Sequence, residues 1–183
     1  MRLPALLLFF SFFLLSCAPS TIRVEVPFTD DVFLSADGLL RGRVPNGWFV
    51  STDSQITPQI GVALLSEDYS AALILQEIFP DKNAERRIAK EGLQLLAQIS
   101  FQLKLAEYPQ ARIVSPPQSS SLRGIEMCSY IFLPTENDMR LPVVLFQMRG
   151  HFYESSTIIL KPSTVNDIGT LLSVQQAIVG TLN

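Results

Sequence analysis

The sequence predicts an α+β domain in which an antiparallel sheet is covered by two helices, an α/β/α sandwich-like arrangement preceded by a cleaved signal peptide. Three observations predict it. Short apolar runs with turn residues between them recur through residues 33 to 78 and 124 to 160. Two amphipathic stretches at helical spacing, 84 to 107 and 165 to 182, interrupt and close that series. The links between the later strands are too short for a parallel crossover, so neighbouring strands run antiparallel.

The chain has 183 residues, enough for one domain of ordinary size once the leader is set aside. Arg2 is a short positive start, and Leu3 to Leu15 follow without a charge before Ala18, Pro19 and Ser20 end the apolar run. A membrane-spanning helix needs roughly 20 apolar residues, so this segment has the length of a signal peptide rather than of a permanent anchor. At its end Leu14-Leu15-Ser16-Cys17 resembles the lipobox of bacterial lipoproteins. That resemblance implies cleavage between Ser16 and Cys17, a diacylglyceryl group on the Cys17 thiol, and an acyl chain such as palmitate on the new amino terminus. Leu15 is bulkier than the residue most often found there. Ala18 follows the lipidated position where an Asp would be an inner-membrane retention signal. In a Gram-negative host the expected location is therefore the outer membrane, facing the periplasm.

Export also fixes the meaning of the two cysteines. With Cys17 lipidated, only Cys128 remains, and no disulfide framework can form within the chain. Loss of the leader removes one cation, Arg2, and no anion, leaving 13 basic and 17 acidic residues, a charge near −4. Such a balance gives no electrostatic reason to expect nucleic acid as a partner.

Residues 17 to 32 read either as a lipidated tether or as an edge strand. Pro19, Ser20 and Thr21 suit the first, and the alternation of Ile22, Val24, Val26 and Phe28 suits the second. A single domain follows from 33 to 183. Asp37-Gly38 is a turn between Val32-Phe33-Leu34 and Leu39 to Val44, and Pro45-Asn46-Gly47 is a second turn that releases Trp48-Phe49-Val50 as a strand. Gly61 to Leu65 and Ala71 to Ile78 form a hairpin in the sheet centre. One helix of about 24 residues follows, capped by Asn83, with Ile88, Leu95, Leu96, Ile99 and Leu103 on its apolar side and Lys104 among the polar residues opposite. Ser115 to Ser121, with two prolines, reads as a loop. Gly124 to Leu133, Val143 to Arg149 and His151 to Leu160 make a three-stranded meander, and Val165 to Leu182 is the closing helix, capped by Thr164 or Asn166.

This order, with Pro45-Asn46-Gly47-Trp48 early in the domain, is similar to the Mog1/PsbP/DcrB-like group, where a Pro-x-Gly-Trp turn is common. Members of that group are mostly binding or assembly proteins, several of them lipoproteins or extrinsic membrane subunits. The resemblance implies the same class of role, although fold alone does not fix function.

No catalytic constellation stands out. His151 is the sole histidine and sits on an alternating strand, sharing a face with Tyr153 and Ser155. Cys128 shares a strand face with Tyr130 and Phe132 and reads as a small buried hydrophobe. Asp30-Asp31 and Glu67-Asp68 lie in turns without further oxygen ligands at regular spacing, and no phosphate-binding loop or metal-ligand motif is present. The expectation is a non-enzymatic adaptor or assembly factor without a cofactor or metal. It would be held on the membrane through Cys17 and bind a protein partner in the cell envelope, with Trp48 and Phe49 as a candidate partner or ligand surface. The alternative is a carrier or sensor of a small apolar ligand held between sheet and helix, drawing on Phe49, Tyr130, Phe132, Phe146 and Phe152. A pocket lined by these rings would favour the carrier, and a filled core with an exposed apolar patch the adaptor.

Overall fold

The structure, a computed structural model, describes residues 25–35, 37–51, 61–136, 138–162 and 167–183. Ser16, Cys17, Ala18 and the cap candidates Thr164 and Asn166 lie outside the described residues. The first strand, β1 (Phe28–Leu34), pairs with β2 (Arg41–Pro45) across the Asp37-Gly38 turn as a separate two-stranded ribbon. Residues 28 to 32, open between tether and strand in the sequence, therefore belong to a strand. Ser35 Oγ donates to Asp37 Oδ1 at 2.5 Å, and the Leu39 amide donates to the same oxygen at 2.9 Å, which fixes the turn.

The remaining strands are β3 (Trp48–Val50), β4 (Val62–Ser66), β5 (Ala71–Ile78), β6 (Arg112–Leu122), β7 (Ile125–Leu133), β8 (Leu141–Met148) and β9 (His151–Ile159). They form one seven-stranded antiparallel sheet in the order β3-β4-β5-β9-β8-β7-β6. The two tight hairpins of the meander turn on Arg123-Gly124 and Arg149-Gly150. All four residues have positive φ, as a two-residue turn matched to the strand twist requires.

Three helices cover the sheet rather than two. The expected 84–107 helix is broken into α1 (Lys82–Glu91) and α2 (Leu93–Glu107) at Gly92. Its φ of +79° leaves the helical region, and its amide closes α1 on the Ile88 carbonyl at 2.7 Å. The N-cap is Asp81, not Asn83: its Oδ1 accepts from the amides of Asn83 and Ala84, both at 2.8 Å. The closing helix α3 (Ile168–Val179) is capped by Asp167, which accepts from the Thr170 amide at 2.7 Å.

The loop expected at 115 to 121 is instead the middle of β6. This strand ends the sheet order, and its pairing with β7 shifts register between Ile113 and Ser115 and again between Ser115 and Gln118. Pro116 and Pro117 fall in the second shift, where a missing backbone N–H removes no regular ladder bond.

Strand alternation gives the sheet two different faces. One carries Leu64, Leu73, Leu75, Phe146 and Tyr153, packed under α3 and the β1–β2 ribbon, with Phe33 and Trp48 in the same core. The other carries Cys128, Tyr130, Phe132, Val143, Leu145 and Phe152 beneath α1 and α2. Among the described residues no helix is long and apolar enough to cross a membrane.

Candidate functional site

Helix α2 lies over the β6, β7 and β8 side of its face, and α1 joins the same core through Ile88. Beside the C-terminal half of α2 an open groove of about 670 Å³ runs over β5 and β9. Ile74, Gln76, Ser156 and Ile158 belong to its strands, Lys104, Glu107 and Tyr108 to the end of α2, and Asp138, Met139 and Leu141 to the entry of β8. Several of these apolar groups face water: Ile158 is 48 % exposed, Leu160 50 %, and Tyr108 and Met139 37 % each. The charges on the walls, Lys104 and Lys161 against Glu107 and Asp138, are of mixed sign.

Lys104 connects the groove to a buried polar circuit. Its Nζ lies 2.7 Å from Glu154 Oε1, in a pair only 17 % and 3 % exposed at the side chains. Ser100 Oγ donates to Glu154 Oε2 at 2.5 Å, so the Tyr130 hydroxyl, 2.8 Å away, donates in turn to Ser100. Helical spacing in the sequence puts Lys104 on the solvent side of the helix and Leu103 on the buried side. The structure reverses them, with Leu103 60 % exposed, because the row Leu96, Ser100, Lys104 is the one that meets the sheet.

Burial raises the Tyr130 hydroxyl above the ordinary range, helped by the neighbouring Glu154 charge, and burial raises the Cys128 thiol to about 11. Both groups thus keep their protons to a higher pH than they would in water. The thiol's contribution to stability is whole below its ordinary 9.0 and is lost as pH rises through about 11. A disulfide exchange reagent at pH 8 is expected to leave Cys128 untouched in the native chain and to titrate it on unfolding in urea. Rapid native reaction would contradict its burial.

The remaining sequence candidates are spread over the fold. Trp48 is 6 % exposed and part of the core. Phe49 is half-buried with its ring edge-on to Tyr69, centroids 5.6 Å apart. Neither borders the groove. His151 Nδ1 lies 2.6 Å from Glu77 Oε1 across the β5–β9 ladder, an ion pair whenever the imidazole is protonated. Asp68 Oδ1 accepts from Ser66 Oγ and the Ser70 amide, and so organises its own turn. Among the described residues no three His, Cys, Asp or Glu side chains gather to hold a metal ion. No motif marks Glu154 in the sequence, but alternation from Phe152 puts it on an inward position, where a carboxylate demands a partner.

The layers, strand order and helix placement define the Mog1/PsbP-like fold, as two solved structures show. Cyanobacterial PsbP (CyanoP) from Synechocystis sp. PCC 6803 matches at a TM-score of 0.53 with 13 % identity, covering 93 % of this chain and 98 % of its own. The Ran-binding protein Mog1p of Saccharomyces cerevisiae matches at 0.55 with 10 % identity, covering 85 % of this chain and 95 % of its own. No protein-family model and no curated protein sequence matches the chain.

Proposed function

We propose that the chain is a lipid-anchored protein of the bacterial envelope that acts as a non-enzymatic adaptor or assembly factor, docking a protein partner in the groove between α2 and β9. The observation that carries this reading is the distribution of apolar surface. The rings of Tyr130, Phe146 and Phe152 are consumed in the core, while Tyr108, Met139, Ile158 and Leu160 stand exposed around one groove with a polar rim of mixed charge. An apolar centre with a polar rim is the composition of a protein-binding surface. Mog1p, on the same fold, is described as Ran-binding, which supports partner binding as the class of role. The anchor is the lipid expected on Cys17, and Ala18 directs the protein to the periplasmic side of the outer membrane in a two-membrane host.

The alternative, a carrier of a small apolar ligand, draws on the groove's volume, which lies in the range of ligand pockets. Of the five aromatic residues nominated for that role, only Phe132 borders the groove, and half-exposed walls enclose a small ligand poorly.

The test is capture from gently solubilised membranes with the native anchor in place. Ile158→Asp and Leu160→Asp alter half-exposed positions, so each is expected to cost about 1 kcal/mol for the half-buried aliphatic surface lost, leaving the chain folded while abolishing recovery of a stoichiometric protein partner. Unchanged recovery with both variants removes the groove from the account. Recovery of a lipid or other small apolar molecule in place of a protein supports the carrier.

A further inference from the structure

The outer face of the β1–β2 ribbon carries a second group of exposed apolar side chains. In its register Val32 stands opposite Arg43 and Leu34 opposite Arg41, so these four side chains share one face. Phe33 and Gly42 point the other way, into the core, where a Cβ on Gly42 would collide with the Phe33 ring. Val32 is 51 % exposed and Leu34 63 %. Arg43 lies over the Phe28 ring, 5.8 Å from its centroid, and has Asp30 3.8 Å away, whereas Arg41 has no ion pair among the described residues. Asp30 thus sits beside Arg43, and Asp31 is likewise exposed on β1, so among the described residues Arg41 is the cation of this face without an ion pair. Two aliphatic side chains flanked by two arginines match the boundary between lipid headgroups and acyl chains, where the first insert and the second meet phosphate.

The chain's connectivity favours that partner. Only 10 residues separate Cys17 from Phe28, the first residue of β1. Fully extended, the stretch from Cys17 to Phe28 spans at most about 40 Å, so a lipid on Cys17 keeps this ribbon within reach of the membrane surface whatever path it takes. We propose that the outer face of β1–β2 is a membrane-contact surface that rests on an anionic phospholipid layer, with Val32 and Leu34 inserted and Arg41 and Arg43 at the phosphates. The proposal rests on the lipid anchor of the preceding reading. It orients the molecule, because the groove lies on the opposite face of the sheet and is turned away from the bilayer.

The exported, lipidated chain, reconstituted in phosphatidylglycerol–phosphatidylcholine vesicles, provides the test. A fluorophore is attached at Leu34→Cys or, as a control on the solvent side of α2, at Gln98→Cys; Cys17 is blocked by lipid and Cys128 is buried. The expected result is quenching of the Leu34 label by lipid-borne quenchers and of the Gln98 label by aqueous iodide, with the contrast diminished by Arg41→Gln and Arg43→Gln. A Leu34 label as open to iodide as the Gln98 label overturns the proposal. So does a label shielded from both quenchers, which would mean that another copy or a protein covers the face. Absence of fatty acid on Cys17 is the separate failure of the anchor. The unlipidated chain then sediments with the same vesicles if the surface is right, about fivefold less for each arginine removed, and its failure to sediment at all overturns the surface as well.

Discussion

Lys104→Met is expected to destabilise the fold by about 3 kcal/mol, read as a lower midpoint of urea unfolding at neutral pH. The substitution keeps the length and apolar stem of the side chain but removes the cation facing Glu154, whose side chain is 3 % exposed. A carboxylate at such a place is far from water and retains, among the described residues, only the Ser100 hydroxyl as a donor. The penalty therefore comes from the charge left behind rather than from the value of the pair itself. A second substitution discriminates between these sources: Lys104→Met with Glu154→Leu is expected to recover all but about 1–2 kcal/mol, the remainder reflecting the Ser100 hydroxyl stripped of its acceptor. If the double variant is as unstable as the single one, packing rather than stranded charge is at fault.

Cys17→Ser is expected to abolish incorporation of labelled fatty acid and to release the chain from membranes, the largest change in behaviour of any single substitution. The serine hydroxyl is a poor substitute for a thiolate as nucleophile, so lipid transfer fails at the first step and cleavage with it. The leader that remains has an apolar run of 13 residues, Leu3 to Leu15, short of the roughly 20 needed to span. Ala18→Asp should keep the lipid label and, in a host that uses Asp as a retention signal, shift the protein to the inner membrane. A Cys17→Ser chain that stays in membranes, together with a wild type that takes up no label, would make Leu3 to Leu15 a retained helix.

The architecture was largely readable from the sequence because it rests on local signals. Arg149-Gly150 and Asp37-Gly38 announce turns, and the alternation of Phe152, Glu154 and Ser156 against Tyr153, Ser155 and Thr157 sets two faces. Pro116-Pro117 misled because proline argues against a strand only where the ladder needs its N–H, and a bulged edge does not. Gly92 was overlooked because the apolar spacing from Ile88 to Leu95 spans it without interruption. Its positive φ ends one helix where the next begins, and within that second helix the row Leu96, Ser100, Lys104 is the one that meets the sheet. The groove was not readable at all. Its walls come from β5, α2, the entry of β8 and the end of β9, which only the tertiary fold brings together, and nothing local in Met139, Ile158 or Leu160 distinguishes them from core residues.

The central claim is that this groove receives a protein partner while the chain is held at a membrane. Its most direct test is a photoreactive amino acid placed at position 158 in the lipidated chain in living cells, with position 98 on the outer side of α2 as control. The account predicts a single cross-linked protein of defined mass from position 158, none from 98, and loss of the product when Leu160→Asp is added. Equal labelling from both positions, or cross-links from 158 only to lipid, would contradict it.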